Sequence, residues 1–317
     1  MTNSLATLLA GSIDYAGIFP PAKLSVDQAV RSYVDYRQQA DAWLLGRMVC
    51  GVDRLPELAA CSSLLRGTPI RLTLVCPTVG DFKDVADFQR AQAAHFCVAA
   101  LELKLPAWMV ESVDSLDQFL DHVSKVTDAL AMRNADVFLE IAAGDWGNAL
   151  TNVLSSIQAR GSTRVGLKIR LGGLSENALP TPLQVGIFID ACRSAGVRWK
   201  ATAGLHHPLS RPKESGQTEF GFLNLFSAAV LACVHQLAPS QIAAILAETS
   251  ADAFQFDERS MSWGDHGATL SEIADGRRES IRSFGSCSFE EPRDGLRQLN
   301  LFGASDPLEV HQTESPS

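Results

Sequence analysis

Three short apolar runs in this chain carry lysines toward their ends and are closed by proline or glycine: ALELKLP (100–106), VGLKIRLGG (165–173) and GVRWKATAGLHHP (196–208). In the last, Val197 and Trp199 alternate with Arg198 and Lys200 before small residues, Gly204 and two histidines. That is the pattern of a buried strand delivering polar groups into a loop. Buried lysines are costly unless paired or used, so Lys104, Lys168 and Lys200 need one shared explanation. The simplest is that they line one pocket.

Similar runs alternate with helical patterns along the chain. SIDYAGIFPP (12–21) gives a short first strand carrying Asp14, stopped by two prolines, and Ser25 caps a helix with Val26, Ala29, Val30, Tyr33 and Val34 on one face. Strands follow at 42–50, 69–78, 100–106, 136–144, 165–173 and the 196–208 stretch, with helices near 53–65, 83–94, 115–132, 146–159 and 181–194. Beyond them lie the apolar helix 222–237 and a shorter one opening at Pro239, and AFQFD (253–257) is expected to be the eighth strand. Eight β/α alternations in 317 residues predict an α/β fold, a single-domain (β/α)8 TIM barrel over residues 1–303 with a disordered C-terminal tail at 304–317. A doubly wound open sheet is the alternative, but no GxGxxG follows an early strand.

The net charge of -9, from 27 basic and 36 acidic residues, disfavours nucleic acid or an acidic membrane surface as partner. The N-terminus lacks a basic segment and a long apolar run, and the seven cysteines lie apart without a CxxC pair. Both features predict a cytoplasmic protein with reduced thiols. Homo-oligomerisation is left open.

In a barrel of this kind chemistry sits at the C-terminal ends of the strands. Period two then places Glu102 with Lys104, Lys168 with Arg170 and Lys200 with Thr202 on shared faces, with Glu140 as the matching residue of the fifth strand. Arg47 and Arg71 belong to the second and third strands; Arg47 is assigned to the mouth, and Arg71, near a strand start, to the barrel bottom. His206 and His207, a loop pair before proline, can orient substrate, bind a metal or cap a helix; they are assigned to substrate, and neighbours on an extended segment point opposite ways and do not readily share one ion. Asn224 reads equally as a helix cap or a ligand contact. The same charges also fit a self-satisfied ion network without chemistry.

Lys200-Ala-Thr-Ala-Gly204 resembles the K-x-[ST]-x-G strand end holding the Schiff-base lysine of deoxyribose-phosphate aldolase. Lys168 with Gly172-Gly173 is similar to that family's second lysine segment, although the two segments occur here in reverse strand order. ALELKLPA resembles the strand-four K-[VIL]-P segment of transaldolases, with Lys104 at the lysine position. The whole chain, with DYAGIFPP, KATAGLHHP, GFLNLF and GSCSFEEP, also resembles a bacterial (β/α)8 family without an assigned activity.

These resemblances imply a class I aldolase-like lyase, with no cofactor, acting on a small oxo acid or carbonyl compound. The substrate is taken as unphosphorylated because no Gly/Ser-rich phosphate loop is evident. Lys200 is expected as nucleophile, with Lys168 lowering its pKa, Glu102 or Glu140 as acid/base and Arg170 as carboxylate anchor. The alternatives are a divalent-metal, enolase-type barrel using Glu102 and Glu140 as ligands, and a non-catalytic anion-binding barrel.

Overall fold

A computed structural model describes residues 1–141, 147–161, 163–173 and 179–301. Residues 142–144 of the expected fifth strand and the expected tail at 304–317 lie outside these.

After helix α1 (Asn3–Leu9), the first half runs β1 (Ile13–Tyr15), α2 (Val26–Tyr36), β2 (Leu45–Gly51), α3 (Leu55–Ala60), β3 (Ile70–Val75), α4 (Phe82–Gln92) and β4 (Phe96–Lys104). Helices α5 (Ala107–Val110) and α6 (Val113–Ala129) lead to β5 (Asp136–Glu140), α7 (Asn148–Ala159), β6 (Val165–Arg170), α8 (Pro182–Ala195) and β7 (Trp199–Thr202). A two-stranded ribbon, β8 (Arg211–Pro212) with β9 (Thr218–Glu219), precedes α9 (Phe222–His235) and α10 (Pro239–Ala247). Then come β10 (Phe254–Phe256), β11 (Ser260–Trp263), β12 (His266–Thr269), α11 (Leu270–Glu279), β13 (Ile281–Ser286) and α12 (Glu290–Gln298).

Eight parallel strands close in the order β1-β13-β7-β6-β5-β4-β3-β2, which is the expected (β/α)8 barrel in one domain. The eighth barrel strand is β13. AFQFD instead forms β10, the edge of an antiparallel sheet with β11 and β12. The segment between α10 and α11 is therefore a small sheet inserted into the last β/α unit. Its turn is the two-residue Gly264-Asp265 loop, with Gly264 at φ +53, a conformation glycine adopts without strain.

Local chemistry explains the element ends. Ser25 Oγ accepts from the Gln28 backbone N–H while Gln28 Oε1 accepts from the Ser25 N–H, a capping box that starts α2. The outward faces of β7 and β13 carry the aromatics: Trp199 meets Phe188 of α8 edge-on at 5.5 Å, and Phe284 stacks on Phe222 of α9 at 5.2 Å. Helix α9 is buried along nearly its whole length. Apolar side chains thus fill the helix–barrel layer, while the inward positions include the charged residues of several strands together with Phe138. No helix among the described residues is long and apolar enough to cross a membrane.

Candidate active site at the barrel mouth

The registers put Lys168 beside Lys200 on β6 and β7, Glu140 beside Lys168 on β5 and β6, and Phe138 beside Glu102 on β5 and β4. These positions alternate with outward apolar residues, so their side chains meet inside the barrel. Glu102 bridges the two lysines: its Oε2 accepts from Lys168 Nζ at 2.8 Å, and its Oε1 lies 2.8 Å from Lys200 Nζ. Each lysine has a second carboxylate. Lys168 lies 2.6 Å from Glu140 Oε2, and Lys200 lies 2.5 Å from Asp14 Oδ2. Arg170 continues the chain, donating from Nε to Glu140 Oε1 at 3.0 Å. Asp14 is further held by the Ser283 hydroxyl at 2.7 Å and the Arg47 backbone N–H at 2.9 Å.

Three carboxylates thus alternate with three cations from Asp14 to Arg170. Burial alone would raise the Glu102 pKa, but the charges and hydrogen bonds of Lys168 and Lys200 prevail and hold it at about 2. Burial would likewise raise Glu140, yet Lys168 and Arg170 keep it below its ordinary value. For Lys168, burial disfavours the ammonium, but Glu102 and Glu140 outweigh it and raise the pKa. This corrects the expectation of two lysines repelling each other's charge, because a carboxylate stands between them.

A cavity of about 310 Å³ opens above this chain, lined by Cys76, Pro77, Glu102, Lys104, Glu140, Lys168 and Arg170 among others. All come from the C-terminal ends of β3 to β6 and the residues just beyond β3, as a barrel mouth requires. Five of the expected mouth residues, Glu102, Lys104, Glu140, Lys168 and Arg170, therefore share one cavity. Lys200 does not line it: only 1% exposed, it lies between Asp14 and Glu102 above the Phe138 ring. Lys104 is exposed on the rim. Cys76 is a buried thiol, pushed up to about 12 by burial, Asp81 and Glu102, which makes it a poor nucleophile.

The remaining candidates are placed as follows. Thr202 ends β7 beside Arg170 in register. In the loop beyond β7, His206 Nδ1 lies 2.7 Å from Glu291 of α12 and His207 Nε2 lies 3.9 Å from Glu219 of β9, so each histidine has its own carboxylate. Arg47 is not at the mouth. It is the third residue of β2 and reaches Asp136, the first residue of β5, at 3.2 Å, so it faces the opposite end with Arg71. Asn224 is a buried tie: its Oδ1 accepts from the Ser210 N–H, and its amide donates to the Ile245 and Glu248 carbonyls. The glycines that follow β6 and β7 serve each other. A Cβ on Gly172 would fall 2.6 Å from the Gly204 Cα, and Gly204 has φ +73, so the loops beyond β6 and β7 approach as closely as glycine permits.

Asp14 and Ser283 were not singled out as site residues by sequence reasoning. The detectable signal was an acid flanked by Ile13 and Tyr15 in the first apolar segment. Among the described residues no three His, Cys, Asp or Glu side chains form a group suited to a metal ion. No protein-family description, curated protein or solved structure matches the chain.

Proposed function

We propose that the chain is a lyase of class I aldolase type, acting in the mouth cavity on a small unphosphorylated oxo acid or carbonyl compound. The observation that carries the reading is the position of Lys168, a cavity-lining amine flanked by Glu102 at 2.8 Å and Glu140 at 2.6 Å. Because Lys200 is enclosed, Lys168 takes the nucleophile role and Lys200 sets the charge of Glu102 from behind. Arg170 and Lys104 supply cations for a substrate carboxylate.

In this mechanism Glu140 accepts a proton from the Lys168 ammonium, and the free amine adds to the substrate carbonyl carbon to give a carbinolamine. The proton returns to the carbinolamine hydroxyl, which departs as water and leaves a protonated imine. For a carbon–carbon bond, the electrons of the broken bond flow into the imine to give an enamine, which is then protonated; for a carbon–oxygen bond, Glu140 removes the α-proton, and the enamine so formed expels the β-oxygen, which departs with its electron pair and takes up that proton. Hydrolysis then frees Lys168. The raised Lys168 pKa favours a second reading without covalent attachment, in which the ammonium polarises the carbonyl and Glu140 removes the α-proton. The metal-dependent alternative is less supported, because the Glu102 and Glu140 oxygens already face lysine and arginine nitrogens.

Exchange of α-hydrogens for deuterium in a panel of small 2-oxo acids, followed by NMR in D2O, tests both proton-transfer readings together. Wild-type protein is expected to accelerate exchange for at least one acid in the presence of a chelator, with a loss of about 10²-fold in Lys168→Met. Background exchange across the panel would leave the charge chain as a structural network that binds an anion. Exchange that disappears with the chelator would favour the metal enzyme.

A further inference from the structure

A second cavity, about 720 Å³ and larger than that of the mouth, lies at the opposite end of the barrel. It is bounded by the N-terminal ends of β2, β3 and β13, the end of α1 and one face of α11, with Asp14 and Ser283 among its lining residues. Six arginines line it: Arg37, Arg47, Arg71, Arg277, Arg278 and Arg282.

The carboxylates nearby do not balance them. Among the described residues Asp14 is the one acid lining the cavity, and it is engaged by Lys200, Ser283 and the Arg47 backbone. Asp136, just inside, is shared between Arg47 at 3.2 Å and Arg198 at 3.1 Å. Arg278 pairs with Asp275 and Glu279. Among the described residues, Arg37, Arg71, Arg277 and Arg282 form no ion pair. The Arg277 guanidinium donates to the carbonyls of Leu8, Ala10, Ile281 and Arg282 and packs on the Phe226 ring. Those contacts satisfy four of its five N–H groups and leave its charge uncompensated. Burial, then Arg282, pull Arg277 down to about 9. Burial and Arg198 lower Arg282 as well, against Asp136. Such crowding is costly in an acidic chain unless a ligand relieves it.

We propose that this cavity binds a compact multivalent oxyanion, a polyphosphate or a polycarboxylate, at a site separate from the mouth. Guanidinium groups from β2, β3, α11 and β13 surround the cavity, and their planar forks match phosphate or carboxylate oxygens two at a time. The cavity can take a ligand of several heavy-atom groups, in the size range of small-molecule sites.

The test is calorimetric titration of the intact protein with inorganic pyrophosphate and, separately, tricarballylate, each at constant ionic strength. Saturable binding of at least one anion is expected, weakened about tenfold or more in Arg71→Gln and Arg282→Gln and unchanged in Arg90→Gln, an exposed arginine on α4. Arg71 is exposed, so its substitution tests the proposal even if Arg282→Gln does not fold. Pyrophosphate binding alone assigns the ligand to phosphates, and tricarballylate binding alone to polycarboxylates. No saturable heat with either anion, undiminished affinity in Arg71→Gln, or loss of binding in Lys104→Met, which would move the anion to the mouth, overturns the proposal.

Discussion

Lys168 Nζ lies 2.8 Å from Glu102 Oε2, joining β6 to β4 across the interior with β5 between them. Through the other Glu102 oxygen the contact continues to Lys200 and Asp14. The barrel is thereby cross-linked by charge at a level where many barrels are filled by branched apolar residues. The cavity at the mouth reaches Glu102, Lys168, Glu140 and Arg170 of this chain, while Lys200 and Asp14 do not line it.

Removing a deep link is expected to cost stability. Lys200→Met leaves Asp14 buried without its cation and Glu102 with one lysine, a loss on the order of 3–5 kcal/mol for a broken buried pair. Adding Asp14→Asn removes the stranded charge and should recover a large part of the loss. Urea unfolding of the single and double variants measures this, and simple additivity of the two substitutions would contradict the pairing.

Acid should loosen the same chain. The Glu102 pKa is depressed in the fold, from 4.5 to about 2, so its stabilisation is full above pH 4.5 and lost as pH falls through the folded value. The contribution is on the order of 3 kcal/mol. Lys168 has the opposite sign: its raised pKa stabilises below its ordinary value and is lost as pH rises above the folded one. Unfolding free energy should therefore fall from about pH 5 toward pH 2, with a shallower fall in Glu102→Gln. Parallel acid profiles for the two proteins would contradict this origin.

Two cysteines should separate by reactivity. Cys76 lines the mouth but is a buried thiol held near 12, whereas Cys97 is exposed. Iodoacetamide near neutral pH should label Cys97 well before Cys76, as peptide mapping would read. Rapid Cys76 labelling would show that the mouth is more open and more basic than described.

Asn224 should behave as a structural residue. Asn224→Ala orphans the buried Ser210 N–H and removes a donor from the Ile245 and Glu248 carbonyls, of which the first keeps the Glu248 N–H, at a cost of about 1–3 kcal/mol for the buried N–H left unsatisfied. Thermal unfolding should move down while the substrate concentration for half-maximal exchange stays unchanged. A change in that concentration with unaltered stability would return Asn224 to the ligand.

The sequence made the barrel and the upper part of the charge chain legible because Glu102, Glu140, Lys168 and Arg170 interrupt apolar runs with period two. It hid the eighth strand. Ile281–Ser286 places Ser283 and Gly285 inward, so the segment lacks the apolar run that AFQFD displays, and the more strand-like segment belongs to a surface sheet. Asp14 was visible only as an acid on a three-residue strand, and its partner Lys200 is 186 residues away. Arg47 was placed at the wrong end because depth along a strand depends on where that strand begins. Residue-level chemistry was readable, whereas pairing across the barrel required closure in three dimensions.

The central claim is that Lys168 is the amine available to substrate, and peptide mapping after borohydride reduction with each oxo acid that exchanges tests it most directly. The expected result is a reduced adduct on Lys168, absent in Lys168→Met and retained in Lys200→Arg, where the buried positive charge persists. An adduct on Lys200, or none with an acid whose exchange depends on Lys168, would contradict the covalent role assigned to Lys168.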